Sequence, residues 1–245
     1  MNDRREEALE KSREELAEID RSRVIVRAVR QLEQAEKNRR KEIESFRDWY
    51  SLHFPEFEQE IEDDEQLLEV FSGGAERDEL DAFESLAEDS KGVKLPGKDI
   101  EMIEKTVEKL SRDLEYRDEL EDYIAEMCEE EMPNVSELLG PVLAAKLVSL
   151  AGDLEDLAKS PASTIQMLGA ESALFRHLSG EGSAPKHGVL FEHRFVRTLP
   201  EDERGKMARF LANKAAIAAR LDSYGDKQKG GELRQEAQGK FEELK

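Results

Sequence analysis

Apolar residues recur along the first fifth of the chain at the spacing of one helix face. Leu9, Leu16, Ile19, Ile25, Val29, Leu32, Ile43, Phe46 and Trp49 stand mostly three, four or seven positions apart, and neither Gly nor Pro occurs between Asp3 and Tyr50. That pattern predicts one long amphipathic helix. It should end at His53-Phe54-Pro55, because the residue before a proline is pushed out of the helical region. A second run without Gly or Pro, Asp99 to Met132, carries Ile100, Ile103, Val107, Leu110, Leu114, Leu120, Ile124 and Met127. It predicts a second long helix with Asp99 as a candidate N-cap. Neither helix can bury its stripe alone, so the pair is expected to form an antiparallel coiled-coil hairpin. Between them, residues 56–92 read as two short acidic helices around Gly73-Gly74, a tip joining the arms.

Beyond Pro133-Asn134 and Gly140-Pro141 the sequence turns to Ala and Leu, with Val142 to Leu150 and Leu154 to Ala158 as short helices. The fold class expected is therefore all-α: a coiled-coil domain over 1–133, a compact helical domain over 134–224 and a polar tail, a frayed helix, over 225–245. The last helix of the compact domain should open at Pro200, where Glu201, Asp202 and Glu203 suit the positive end of the helix dipole. At about 100° per residue, Lys206, Arg209, Asn213 and Arg220 share an arc of roughly 60°. Met207, Phe210, Ile217, Ala218 and Leu221 fill the adjoining sector, and Lys214, which points into that sector, must snorkel or meet a partner.

Charge sharpens this division. The formal net charge is −21. All of that deficit lies in Met1 to Pro133, with 21 basic against 42 acidic residues, while Asn134 to Lys245 balances at 16 against 16. Ser160 to Arg220 has nine Lys or Arg against six Asp or Glu. A basic face on an acidic protein is the arrangement that approaches phosphates. The acidity of the long helices also suits a salty cytoplasm. Charged residues make up 39% of the chain, well above the roughly 25% of ordinary domains, which favours long exposed helices; disorder is disfavoured because the apolar residues keep helical spacing.

The basic stretch contains Lys-Ser-Pro-Ala-Ser-Thr-Ile-Gln-Met-Leu-Gly-Ala-Glu (159–171), Ala-Leu-Phe-Arg-His-Leu (173–178), Pro-Lys-His-Gly (185–188) and Leu-Ala-Asn-Lys-Ala-Ala-Ile-Ala-Ala-Arg-Leu-Asp (211–222). In this order the strings resemble the Nop domain of the scaffold proteins of box C/D small ribonucleoproteins, the archaeal component in particular. Asp48-Trp49-Tyr50-Ser51-Leu52-His53-Phe54-Pro55-Glu56 resembles the end of the first coiled-coil helix in the same family. The likeness runs from about Ser12 to about Tyr224. It begins so near Met1 that the N-terminal domain with which family members dock fibrillarin is expected to be lacking here.

The resemblance implies an RNA-binding scaffold that recognises kink-turn RNA together with the small ribosomal-type protein bound to it. It implies a homodimer formed through the coiled coil, and support for guide-directed 2′-O-methylation of rRNA by fibrillarin. The chemistry would belong to fibrillarin. The residues it points to are Gly169, Ala170, Glu171, Arg176, Lys186 and His187, beside the stripe of Lys206, Arg209, Asn213 and Arg220. Family members usually have a lysine after the Gly-Ala-Glu turn; Ser172 here removes one phosphate contact and leaves more to Arg176 and to backbone amides at the helix starts. Two other readings stay open: a structural coiled-coil module for protein partners, and a spliceosomal-type Nop factor without a methylation role.

Catalytic readings find little support. His177, His187 and His193 with Glu192 match no dense ligand spacing, and Cys128 is the only cysteine, so neither a zinc motif nor an internal disulfide is expected. Gly180-Glu181-Gly182 lacks the Gly-Lys-Ser/Thr of a phosphate loop. The expectation is a non-enzyme without cofactor or metal. With no apolar run of membrane-spanning length and no signal-peptide core, it is also expected to be soluble and cytoplasmic.

Overall fold

The computed structural model describes residues 21–61, 63–80, 83–180, 185–225 and 228–245. Among them are twelve α-helices and no strand, so the chain is all-α. Helix α1 spans Arg21–Tyr50; the part of the predicted helix before Arg21 lies outside the described residues. Phe54, at φ −141° and ψ 79°, breaks the helix ahead of Pro55, which opens a 3-10 turn over Pro55–Gln59. Short helices α2 (Asp64–Val70) and α3 (Glu84–Glu88) follow, and the second long helix, α4, covers Gly97–Glu131. Asp99 is therefore not the N-cap. Its amide already donates to Pro96 O at 2.8 Å, and its carboxylate lies in the first turn, where the dipole still favours it.

The chain divides into two compact units, one of residues 32–120 and one that joins 121–245 to the start of α1. In the first, Ile43, Phe46 and Tyr50 of α1 and Ile100, Ile103, Val107 and Leu110 of α4 share a core with Phe54, Phe57, Leu67, Phe71 and Phe83. Tyr50 is its centre. The ring meets Phe71 edge-on at 4.8 Å and Phe57 at 5.3 Å, and its hydroxyl donates to Ala75 O at 3.1 Å. Burial pushes the Tyr50 phenol well above its ordinary pKa. Gly74 makes the tip turn at φ +138°, and a side chain there would overlap the Glu79 carboxylate.

The second unit holds α5 (Pro133–Leu139), α6 (Pro141–Ala151), α7 (Leu154–Lys159), α8 (Ala162–Met167), α9 (Glu171–Leu178), α10 (Arg194–Arg197), α11 (Glu201–Tyr224) and α12 (Gly230–Leu244). Pro133 and Pro141 each start a helix at a position whose N–H would be unused. Between them Gly140, at φ +85°, makes the turn. Helix α11 is the spine, packed against α5, α7, α8 and α12. Its buried Ala208, Ala212, Ala215, Ala216, Ala218 and Ala219 let those helices approach closely. Asp222 near its end caps α5, accepting from Asn134 N at 3.0 Å, Asn134 Nδ2 at 2.6 Å and Val135 N at 2.9 Å. Asn134 Oδ1 in turn accepts from Lys229 N at 2.5 Å, just ahead of α12.

The C-terminal segment is a docked helix and not a frayed polar tail. Leu233 and Ala237 of α12 are buried, and Phe241 stacks on Phe195 at 4.8 Å. The sequence hides this because only these few apolar positions lie among Gly, Gln, Glu and Lys. Among the described residues, no single helix is long and apolar enough to cross a membrane, and no group of three or more potential metal ligands occurs.

Asp222→Ala would leave buried amide donors at the start of α5 unpaired. It should lower stability by about 2–3 kcal/mol, read by urea unfolding, whereas Asp202→Ala on the exposed first turn of α11 should cost well under half of that. His193 caps α10 through Nδ1, which accepts from Phe195 N at 3.2 Å. Burial first, then Arg194, lowers its pKa to about 4. The native state thus binds a proton less readily than the unfolded chain, so this histidine's contribution is complete above about pH 6.5 and is lost as pH falls towards 4. On the order of 3 kcal/mol of stability should disappear across that window, and His193→Gln should flatten that part of the profile.

Candidate nucleic-acid interface

The Gly-Ala-Glu turn and the Pro-Lys-His-Gly loop, separate in sequence, are stitched together. Gly188 N donates to Gln166 O at 2.8 Å, Val189 N to Leu168 O at 2.8 Å, and the Gln166 amide to Lys186 O at 2.7 Å. The contact is so close that a side chain at Gly188 would overlap the Leu168 carbonyl oxygen. Gly169, at φ +80°, turns the chain from α8 into α9, and its N–H donates to Glu171 Oε1 at 2.9 Å. Glu171 therefore caps the turn from within. Ala170 is buried under it.

Lys186 lies along α11, its Cβ 3.4 Å from where a side chain at Gly205 would begin. That places the loop beside the N-terminal half of α11, where Lys206 and Arg209 stand. Lys206, itself exposed, pairs with the largely covered Glu203 at 2.6 Å. Asn213 donates to Arg209 O at 2.9 Å. The described residues include no hydrogen-bond or ion-pair partner for the exposed side chains of Arg176 and Arg209. Arg220 is apart from this group. It is fifteen residues beyond Gly205, about 22 Å along the helix, and its Nε donates to Ala158 O at 3.0 Å, closing the end of α7.

His187 stacks on Phe191 with ring centres 4.8 Å apart. Burial, and then Arg204, lowers its pKa, so near neutral pH it offers a hydrogen-bonding ring and not a charge. Lys214 meets Glu236 and lies over the Phe210 ring at 5.2 Å. Ile217, placed by the wheel in the apolar sector, is instead exposed, because α11 buries its alanines. The Ser160 hydroxyl closes α7 by donating to Asp156 O at 2.9 Å, and Pro161 takes the cap position of α8.

Three further features shape the surface. Arg204 lies over Phe191 at 5.5 Å and donates to Leu199 O at 2.8 Å, bracing the loop from α11. Gln166 supplies the side-chain tie. Helix α9 has no buried residue: Phe175 is 69% and Leu178 71% exposed, with Leu174 beside them. The apolar spacing of 174, 175 and 178 was visible, but only the fold reveals that nothing else in the chain covers it among the described residues.

Comparison with known proteins is consistent across sequence and structure. Residues 31–243 match the family model described as "Nop: snoRNA binding domain, fibrillarin". An uncharacterized NOP5 family protein of Methanocaldococcus jannaschii is 36% identical over 220 residues, covering 84% of this chain and 53% of that protein. Nucleolar protein 58 of Schizosaccharomyces pombe is 34% identical over 218 residues, covering 83% of this chain and 43% of the relative. The chain spans about half the length of the curated relatives it matches. In the solved structures, the crystal structure of a fibrillarin/Nop5p complex matches 100% of this chain and 78% of that one, with a TM-score of 0.58 and 29% identity.

Gly188→Ala tests whether the stitching forms the surface. The Cβ must displace the Leu168 carbonyl, so hydrogen exchange at Val189 should quicken and stability fall by about 2 kcal/mol or more. Gly231→Ala, which meets open space, should leave both unchanged.

Proposed function

Because the chain belongs to the Nop family, we propose that it is a non-catalytic RNA-binding scaffold of a box C/D small ribonucleoprotein. In this reading the second unit recognises kink-turn RNA together with the protein bound to it. The observation that carries the proposal is the joining of the Gly-Ala-Glu turn, the Lys186 loop and the start of α11 into one surface. Exposed Arg176, Lys186 and Arg209 supply phosphate contacts, while Leu174, Phe175 and Leu178 give an apolar patch suited to a protein partner. A surface that is partly cationic and partly apolar fits a composite target better than bare RNA.

The long helices α1 and α4 would then form the antiparallel coiled coil that pairs two copies, with the Nop domain over 134–224. Within the first unit Lys109 of α4 pairs with Glu42 of α1, and just past the end of α1 Leu52 O accepts from Val93 N, ahead of α4, at 2.9 Å, an order of partners that fits antiparallel helices. The likeness to a chain of a fibrillarin/Nop5p complex supports fibrillarin as a partner, with methylation as its reaction.

Four of the nine cations of the stretch, Arg204, Lys206, Lys214 and Arg220, are already engaged, which moderates the expected salt response. With about three free phosphate contacts, log K for kink-turn RNA bound to its protein should fall with log salt at a slope of about −3. Arg176→Gln, Lys186→Gln and Arg209→Gln together should abolish ternary binding in a mobility-shift assay. Light scattering should still report a dimer. Failure of the unaltered chain to bind the ternary mixture would sink the scaffold reading.

A further inference from the structure

The first unit contains a cavity of about 340 Å³ lined by His53, Glu76, Arg77, Asp78, Ala87, Glu88 and Lys94. His53, from the Trp-Tyr-Ser-Leu-His-Phe-Pro string, plays no part in the RNA surface yet is wholly buried. Its Nδ1 lies 3.2 Å from both Leu95 N and Val93 O. The tautomer that accepts from Leu95 carries its proton on Nε2, and Nε2 has no hydrogen-bond partner among the described residues. Glu76 Oε2 stands 3.9 Å from it, too far for a hydrogen bond. The same is true of the adjacent guanidinium: Nε and Nη2 of Arg77 are buried without an acceptor. The guanidinium lies over the Phe54 ring at 6.0 Å and acts electrostatically on Tyr50, His53 and Glu56.

Burying a guanidinium edge without an acceptor is costly. Nε and Nη2 form the edge of arginine that grips two oxygens of a planar or tetrahedral oxyanion side by side. We propose that this cavity binds a single small oxyanion of the phosphate class, held bidentately by Arg77, with His53 Nε2–H and the Lys94 ammonium as further donors. A long polyanion is disfavoured by charge: Glu76, Asp78 and Glu88 share the lining, so the cavity has no surplus of positive charge. Glu76 is already engaged as the cap of the 3-10 turn Arg77–Glu79. Attraction must come from short directional hydrogen bonds, which reward a compact ion. The proposal is independent of the RNA-binding reading, since every residue in it belongs to the first unit.

The test is thermal unfolding and calorimetric titration of the full chain with sodium phosphate, ionic strength held constant with sodium chloride and acetate run in parallel. Phosphate should raise the melting temperature saturably, chloride should not, and acetate should bind more weakly. Arg77→Met should abolish the phosphate response and melt no lower than the unaltered chain without phosphate. Lys94→Gln, on an exposed residue, should fold normally and weaken phosphate by about tenfold. Equal responses to phosphate and chloride, acetate binding as tightly as phosphate, or full phosphate affinity in Lys94→Gln would each overturn the proposal. Should Arg77→Met melt lower without phosphate, the arginine is structural and Lys94→Gln decides alone.

Discussion

The second unit depends on one half-buried carboxylate. Asp222 sits near the end of α11 and accepts three hydrogen bonds from the first turn of α5, and Asn134 passes the connection to the residue before α12. Burial raises the Asp222 pKa even though those bonds favour the charged form, so desolvation outweighs them. The arrangement persists because the alternative is worse: a helix start inside the protein with orphaned amides. By fixing both ends of the spine's neighbours, it lets an alanine-lined helix with little apolar bulk act as the unit's axis.

That axis in turn sets the candidate surface. A lysine on a loop has no fixed position of its own, but Gly188 removes the atoms that would hold the loop away from the Gly-Ala-Glu turn, and Lys186 then rests beside Gly205 of α11. Three backbone or amide bonds and the His187–Phe191–Arg204 contacts then lock it. The basic stretch is thus less cationic in effect than in composition. Arg204 and Arg220 hold carbonyls, and Lys206 and Lys214 face carboxylates. A surface with few free charges and an exposed apolar helix discriminates by shape and by partner more than by charge attraction alone.

The long helices were legible because their apolar period and their freedom from Gly and Pro are local properties. So were the break at Phe54-Pro55 and the opening of α11 at Pro200, where proline acts on its nearest neighbours. Errors arose where the outcome hinged on a distant partner. Asp99 lost its cap role to two helical residues before it. The angle of Ile217 on the helix puts it in the core, although the width of the buried sector depends on how closely other helices approach the alanines. Composition alone makes the C-terminal helix look like a tail, because Leu233, Ala237 and Phe241 only become a core once α5, α11 and Phe195 are in place.

The sequence by itself determined the all-α class, the two long amphipathic helices and the strings that carry the Nop resemblance, because periodicity, proline and residue order act within a few positions along the chain. Tertiary structure decided which cations remain free, which carboxylate caps which helix, and that His53 and Arg77 meet at one cavity. Those outcomes depend on distances between residues remote in sequence, and on what burial does to charges that composition counts as equal.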